Sequence, residues 1–291
     1  MDFYIAALSL ALATSMMAWG VYLSVRIFNL PDITTDGSYT FSASVTAVCL
    51  LSGLPWYLSV LCGMLCGAFA GTITALIHTA LGVNALLAGI LVMTALYSVN
   101  LSVMGRSNLP LSEACDSVFK AIRLSNNQYT NELLIVALFA GVSIALLYWF
   151  LKTDFGLALR ATGQSEAMAA SMGIHTRAMK ITGLAIANGF TALSAALVCQ
   201  MQQFADINMG IGIVILGLGS VMMGESLQKL FGLHSLAMQL MLVLLGCLVF
   251  RLIMAITLAS GVDPNWMKLF NALVVLIFVS LPVLHKKWNL R

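Results

Sequence analysis

The chain has 291 residues, of which 60% are hydrophobic and 9% are charged, and its mean hydropathy is +0.98. Soluble domains carry about 25% charged residues, and disordered chains combine low hydrophobicity with high charge, so both classes are excluded. The net charge of +3 is too small to favour a nucleic acid partner. The composition instead predicts an all-α membrane protein surrounded by lipid.

Hydrophobic runs predict a polytopic helical bundle of about nine spans, within a range of eight to ten, because each span needs about 20 apolar residues. We expect the whole chain, 1–291, to form one transmembrane domain. The second run is short and rich in Ser and Thr, so it could be re-entrant or broken near the midplane. The runs lie near 3–25, 39–53, 56–81, 86–104, 132–151, 180–203, 211–231, 236–259 and 267–284.

Glycines mark two of these spans. Gly63, Gly67 and Gly71 form a stripe in the third span that predicts close helix packing. Five glycines between 210 and 224 make the seventh span thin, and it could be broken as well.

The basic residues predict that the amino terminus lies outside, since cytoplasmic loops carry an excess of Lys and Arg. Arg251 falls within a span. In the nine-span arrangement the larger set is inside: Arg26, Lys152, Arg160, Arg177, Lys180, Lys229, Lys286, Lys287 and Arg291. The smaller set is outside: Arg106, Lys120, Arg123 and Lys268.

Short motifs recur along the chain and predict an inverted internal repeat, with halves near 1–104 and 180–284. At a spacing of 179 residues, Gly53-Leu54 recurs as Gly232-Leu233, Gly67 as Gly246, and Gly82-Val83-Asn84 as Gly261-Val262-Asp263. At a spacing of 174, Leu30-Pro31-Asp32-Ile33 resembles Phe204-Ala205-Asp206-Ile207. Chance matches between frequent glycines are the alternative. Inverted repeats are typical of transporters whose substrate path lies between the halves.

Two polar helix breaks, 28–38 and 200–210, occupy matching places in the two halves. Asp36 or Ser38 is predicted to cap the helix that follows the first break, and a helix start with free N–H groups suits a carboxylate substrate. A capped loop at the membrane surface is the alternative. The residues predicted to line a path are Asn29, Asp32, Asp36, Ser38, Asn188, Asp206 and Asn208. Hydrogen bonds between helices are the simpler explanation for Asn84, Asn100, Asn188 and Gln200.

The sequence contains no nucleophile triad, phosphate-binding loop or metal-ligand cluster, so we expect no enzymatic activity, no metal and no cofactor. Ion-driven carriers usually place ionisable groups at the midplane, and only Arg251 lies well inside a span. The chain therefore either conducts passively or takes its energy from another subunit.

The inner loop at about 152–180 carries the strongest functional signal. It reads as two short helices that separate near Gly163 and stop at Gly173. Its small, Ala-rich surface could fit a cleft of a cytosolic partner, although an ordinary loop with amphipathic helices would look similar.

This loop resembles the cytoplasmic coupling loop of bacterial ATP-binding cassette (ABC) importer permeases of the branched-chain amino acid and ribose type. The residues that carry the resemblance, and that are expected to couple to an ATPase, are Gly156, Arg160, Ala161, Gly163, Glu166, Ala167, Ala170, Gly173 and Ile174. The segment from Arg26 to Gly37 resembles that family's early motif, and Gly219 to Glu225 its late Gly-x-x-x-x-Gly-Glu motif. The branch closest in sequence character is the one linked with aromatic or other hydrophobic amino acids.

The resemblance implies a permease subunit in the bacterial cytoplasmic membrane. Its expected partners are two cytoplasmic ATPase subunits, an extracytoplasmic binding lipoprotein and a second permease copy. ATP hydrolysis would belong to the partner, and the solute is expected to be an amino acid. A self-sufficient carrier or channel, and an assembly subunit without transport, remain the alternatives.

Overall fold

The computed structural model describes residues 2–112, 115–232, 235–261, 263, 266, 269–277 and 280. Long helices dominate this part of the chain. They are α1 (Asp2–Tyr22), which continues into a π-helical turn (Leu23–Ile27), α2 (Thr34–Leu51), α3 (Trp56–Leu81), α4 (Ala85–Met104), α6 (Gln128–Lys152), α9 (Thr176–Gln202), α10 (Ile213–Phe231) and α11 (Leu236–Ala259). The short elements are β1 (Asn108–Pro110), α5 (Val118–Ala121), α7 (Asp154–Gln164), α8 (Glu166–Ser171) and β2 (Phe204–Asp206).

Six helices in the described part of the chain are long and apolar enough to cross a membrane: Phe3–Ile27, Trp56–Leu81, Ala85–Met104, Gln128–Lys152, Thr176–Gln202 and Leu236–Ala259. They coincide with six of the nine predicted spans, most of them to within about four residues at each end. The structure therefore supports a polytopic helical membrane protein with fewer clear spans than the hydrophobic runs predict.

The other three predicted spans differ from expectation. The second is not broken, because α2 is one continuous helix that begins at Thr34 rather than near 39. The seventh is also continuous as α10, and its irregular backbone lies before the helix, where Gly212 adopts a positive φ of 87°. The ninth falls partly outside the described residues, although 269–277 are helical.

The predicted glycine stripe of α3 packs as expected. A Cβ atom on Gly67 would overlap the Ala192 side chain, and one on Gly71 would overlap the carbonyl oxygen of Leu184, both in α9. Gly63 meets the side chain of Thr46 in α2. Small residues let helix backbones approach closely in a membrane, so this stripe brings α3 against the centre of the bundle.

Helix α9 crosses the whole bundle and defines its two ends. Its first residue, Thr176, follows α8, and its last, Gln202, precedes β2. At 27 residues and 1.5 Å per residue, it separates these ends by about 40 Å. We call them the α8 end and the β2 end. At the β2 end, β2 pairs antiparallel with β1, with Leu109 opposite Ala205.

Candidate translocation and coupling site

The predicted pair of short helices is present at the α8 end. Their boundary is Ser165, two residues beyond the predicted break at Gly163, which lies within α7. Ser165 has an extended backbone (φ −156°), and its hydroxyl oxygen accepts a hydrogen bond from Met168 N at 3.3 Å, so it caps α8. Gly173 follows α8 with a φ of +82°, which confirms the predicted stop.

Part of the predicted coupling surface faces inward and holds α7 against the bundle. Gly156 is buried against the carbonyl oxygen of Phe150. Gly163 contacts the carbonyl oxygen of Ile27, and a Cβ atom there would lie 3.0 Å from Phe28 Cα. Asn29 Nδ2 donates to Gly163 O at 3.3 Å. These contacts join α7 directly to the first helix break.

The other coupling residues face outward. Glu166, Ala167, Ala170 and Gly173 are exposed, whereas Arg160, Ala161 and Ile174 are half-buried. Sequence reasoning missed the two most exposed apolar side chains here, Met168 at 61% and Met172 at 72% exposure. The available signal was the spacing of the two methionines. They are four residues apart with only Ala and Ser between them, and residues at that spacing share one face of a helical turn. We call Ala167, Met168, Ala170 and Met172 the α8 face.

An ion pair holds α8 beside α9. Lys180 Nζ donates to Glu166 Oε2 at 2.7 Å. This hydrogen bond lowers the pKa of the Glu166 carboxyl below its ordinary value. Loss of the pair through protonation of Glu166 therefore requires a lower pH than protonation of an ordinary glutamate does. The contact helps to orient the α8 face, but an exposed pair adds little stability.

Three of the predicted path residues meet in a buried polar cluster between α2, α3 and α9. Asn188 Nδ2 donates to Asp32 Oδ2 at 2.7 Å, and Ser38 Oγ donates to Asn188 Oδ1 at 2.7 Å. Asp32 Oδ1 accepts from Thr34 N at 2.8 Å, and the Thr34 hydroxyl bonds that of Thr74 at 2.7 Å. Asp32 therefore accepts the hydrogen bond from the first N–H group of α2. The sequence predicts this capping role for Asp36 or Ser38 instead.

Asp36 instead joins the two halves of the chain. Its Oδ2 accepts from Gly212 N at 3.0 Å, and its Oδ1 accepts from Val214 N at 2.8 Å. The carboxylate thus lies at the start of α10, where unpaired N–H groups and the helix dipole favour negative charge. These two N–H groups are occupied by the protein itself. The sequence predicts a free anion site at the start of the helix after the first break, and there the N–H group of Thr34 is likewise occupied, by Asp32.

We expect Asp36→Ala to destabilise the protein by about 1–2 kcal/mol, since it removes a charged cap from a helix start. Asp36→Asn keeps one oxygen acceptor, so its stability should lie between that of Asp36→Ala and that of the wild type. Thermal unfolding of the purified protein in nanodiscs measures both. Equal stability of all three proteins would show that the two bonds to α10 do not hold the helix.

The remaining path residues lie at opposite ends. Asn29 is exposed at the α8 end. Asp206 and Asn208 lie at the β2 end, where Asp206 accepts hydrogen bonds from Asn108 Nδ2 at 3.3 Å and from Asn208 N at 2.8 Å. Both line a cavity of about 380 Å³, together with Leu10, Tyr39, Val198, Gln202, Phe204, Met209, Ile211, Gly212, Ile213, Leu216, Arg251 and Asn271.

The predicted hydrogen bonds between helices hold for most of the polar residues in spans. Asn100 Nδ2 donates to the Gly37 carbonyl at 3.4 Å, which joins α4 to α2. Gln200 Oε1 accepts from Val118 N at 2.9 Å and fixes α5 to α9. Asn84 differs, because it caps its own helix by accepting from Leu86 N at 2.9 Å.

Comparison with known proteins identifies the family. Residues 3–280 match the family described as branched-chain amino acid transport system, permease component. The chain belongs to this family. It is therefore the permease component of an amino-acid ABC transport system and a multi-pass membrane protein.

Three relatives show how far the similarity extends. The permease is 36% identical over 276 residues to the tyrosine transport system permease protein of Clostridioides difficile, covering 95% of this chain and 90% of that protein. It is 31% identical to an uncharacterised protein of Rickettsia prowazekii, covering 96% and 98%. It is 27% identical to the probable branched-chain amino acid transport permease protein LivH of Methanocaldococcus jannaschii, covering 65% and 62%. No solved structure matches the permease.

One contact links two of the motifs that carry the family resemblance. Arg26 Nε lies 3.0 Å from Glu225 Oε1, so the π-helical turn after α1 pairs with the late motif in α10. Sequence reasoning did not predict this pair, because the residues are far apart in the chain. At the α8 end, the permease therefore joins its early motif to both α7 and α10.

Proposed function

We propose that the permease forms the translocation path of an importer in the bacterial cytoplasmic membrane. An extracytoplasmic binding protein would deliver the amino acid at the β2 end, and ATPase subunits would bind the α8 face. The observation that carries this proposal is the contact of Gly163 in α7 with Ile27 at the first helix break. It gives a force on the coupling helices a direct route into the bundle.

The route continues through described contacts. From residues 27–29 the chain leads to Asp32, which Asn188 holds in the bundle centre, and then to Asp36, which bonds the start of α10. Arg26 makes a second connection to α10 through Glu225. A ligand shifts a conformational equilibrium only through its different affinity for the two states. Binding of nucleotide-loaded ATPase to one position of α7 would supply that difference.

Several features support the inverted repeat as the frame for this movement. Among the described non-glycine residues, only Asn29 and Gln203 have positive φ, 53° and 61°, and they are 174 residues apart. Each lies just after a long helix and before a return of the chain into the bundle. The repeated glycine pairs Gly53 and Gly232, and Gly82 and Gly261, all have positive φ as well.

The name of one relative and the family resemblance support a proposal for the substrate and for the stoichiometry. The tyrosine system permease supports an aromatic or other hydrophobic amino acid as the solute. Two copies of the permease would assemble with two ATPase subunits, as the family resemblance implies. The exposed methionines of the α8 face suit the apolar cleft of such a subunit, because Met adapts to irregular surfaces.

The test replaces Met172 while the complete importer is expressed in bacterial cells. Met172→Glu should reduce both the ATPase that co-purifies with the permease and amino acid uptake, by at least about tenfold, since it places a charge in an apolar contact. Met172→Leu, the control, should keep both. Unchanged co-purification of the ATPase with Met172→Glu would contradict the role of the α8 face. Uptake by the permease alone in liposomes would favour a self-sufficient carrier instead.

A further inference from the structure

The cavity at the β2 end contains opposite charges that do not pair with each other. Arg251 comes from α11 and Asp206 from β2, and both line the cavity. Neither of the two ion pairs in the described part of the chain includes them. A cavity of about 380 Å³ with a cation and an anion on its walls is suited to a small ligand that carries both charges.

Arg251 is the charge that most needs a partner. Its Nε donates to the Thr14 hydroxyl at 3.3 Å, and Thr14 is fully buried in α1. A guanidinium has five N–H donors in a fixed fork that matches a carboxylate. A charge inside a membrane protein is costly unless it is paired or faces a water-filled cavity. A ligand carboxylate would supply the counter-charge that no described acidic side chain provides.

Asn271 adds an independent indication. Its Oδ1 is buried and accepts no hydrogen bond within the described part of the chain, yet the residue lines the same cavity. Buried acceptors are rarely left unpaired. A rotation of the Asn271 amide would turn this oxygen to the cavity wall. A ligand ammonium, which has three donors, could then bond to it and to the Asp206 carboxylate.

The rest of the wall is suited to an apolar side chain. Phe204, Met209 and Leu216 contribute aromatic, flexible and aliphatic surface, and Tyr39 adds a further ring. Ligand sites combine mostly apolar walls with a few polar groups that orient the ligand, and their volumes start at about 300 Å³. The cavity is therefore large enough for one amino acid and too small for a peptide of several residues.

We propose that this cavity binds a zwitterionic amino acid with an apolar or aromatic side chain. Arg251 binds the carboxylate, and Asp206 with Asn271 binds the ammonium. The inference rests on the proposed function, since it makes the cavity the binding site at which the permease receives its solute. Arg251 thereby becomes a recognition residue of a permease whose energy comes from elsewhere.

The test uses the full-length permease in nanodiscs and three probes: L-phenylalanine, 2-phenylethylamine, which lacks the carboxylate, and 3-phenylpropionate, which lacks the ammonium. Saturable thermal stabilisation gives the dissociation constant of each. The wild type should bind L-phenylalanine at least about tenfold more tightly than either analogue, because each loses one charge-assisted contact.

The variants identify the two ends of the ligand. Arg251→Gln should weaken L-phenylalanine at least about tenfold and leave 2-phenylethylamine unchanged. Asp206→Asn should weaken L-phenylalanine and leave 3-phenylpropionate unchanged. Arg251→Lys, which keeps the charge, should retain part of the affinity, and Arg106→Gln, which removes an exposed cation, should change nothing.

Two outcomes would overturn the inference. One is equal binding of the three probes to the wild type. The other is L-phenylalanine binding that Arg251→Gln leaves intact. The proposed function is judged separately by ATPase co-purification with the Met172 variants, so the cavity assignment can fail while the importer assignment stands.

Discussion

Gly163→Val is expected to abolish amino acid uptake while the ATPase stays bound. Gly163 faces the first helix break rather than the outer surface of α7, so its side chain would displace α7 from Ile27 and leave the α8 face intact. Overpacking of this kind costs about 1–3 kcal/mol, enough to shift a two-state equilibrium by about five- to 150-fold. Uptake by cells that express the complete importer, and ATPase co-purification, measure the two effects.

Gly141→Val is the matched control. Gly141 lies in α6, and a Cβ atom there would meet no atom within 4 Å, so both uptake and assembly should remain normal. If Gly163→Val transports normally, the contact between α7 and Ile27 does not transmit the movement. If it loses the ATPase as well, α7 itself forms part of the docking surface.

Asn188→Ala is expected to destabilise the permease by at least about 2 kcal/mol. Asn188 donates to the buried Asp32 carboxylate and accepts from Ser38, and each buried group that loses its hydrogen-bond partner costs about 1–3 kcal/mol, or more if it is charged. Thermal unfolding in nanodiscs measures the loss. Asn84→Ala is the control, because Asn84 is exposed and caps only α4; its removal should cost about 1 kcal/mol.

The double variant Asp32→Ala with Asn188→Ala measures the energetic coupling between these two side chains. Once the carboxylate is gone, the loss of its donor matters less, so the double variant should be more stable than the sum of the single losses predicts. Strict additivity would show that the two side chains do not depend on each other. The cluster would then be a set of unrelated contacts.

Local sequence patterns predict much of this fold. Long hydrophobic runs identified six helices with accurate boundaries, because length and apolar content alone decide whether a helix can cross a membrane. The glycine stripe of α3 was also predictable, since small residues at a spacing of four must lie on one helix face. Gly173 ended α8 as expected for the residue type that tolerates positive φ.

The site was predicted as a set of residues but not as an arrangement. Asp36 was recognised as a capping residue, yet it caps a helix 176 residues later, and no local pattern specifies such a partner. Asn29 and Asp206 are predicted to line one path, and the structure places them at its opposite ends, a separation that no local pattern specifies. Asn271 and Tyr39 carried no sequence signal, because their importance comes only from the cavity they line.

The bonds of Asp36 have a consequence for how access could alternate. Gly212, which receives one of them, also lines the cavity at the β2 end, whereas the chain just before Asp32 touches α7 at the α8 end. The ten residues from Ile27 to Asp36 thus connect α7 at the α8 end with the cavity at the β2 end. Under the proposed coupling to an ATPase, we expect this connection to make simultaneous opening on both sides sterically unfavourable, so that leak of solute is suppressed.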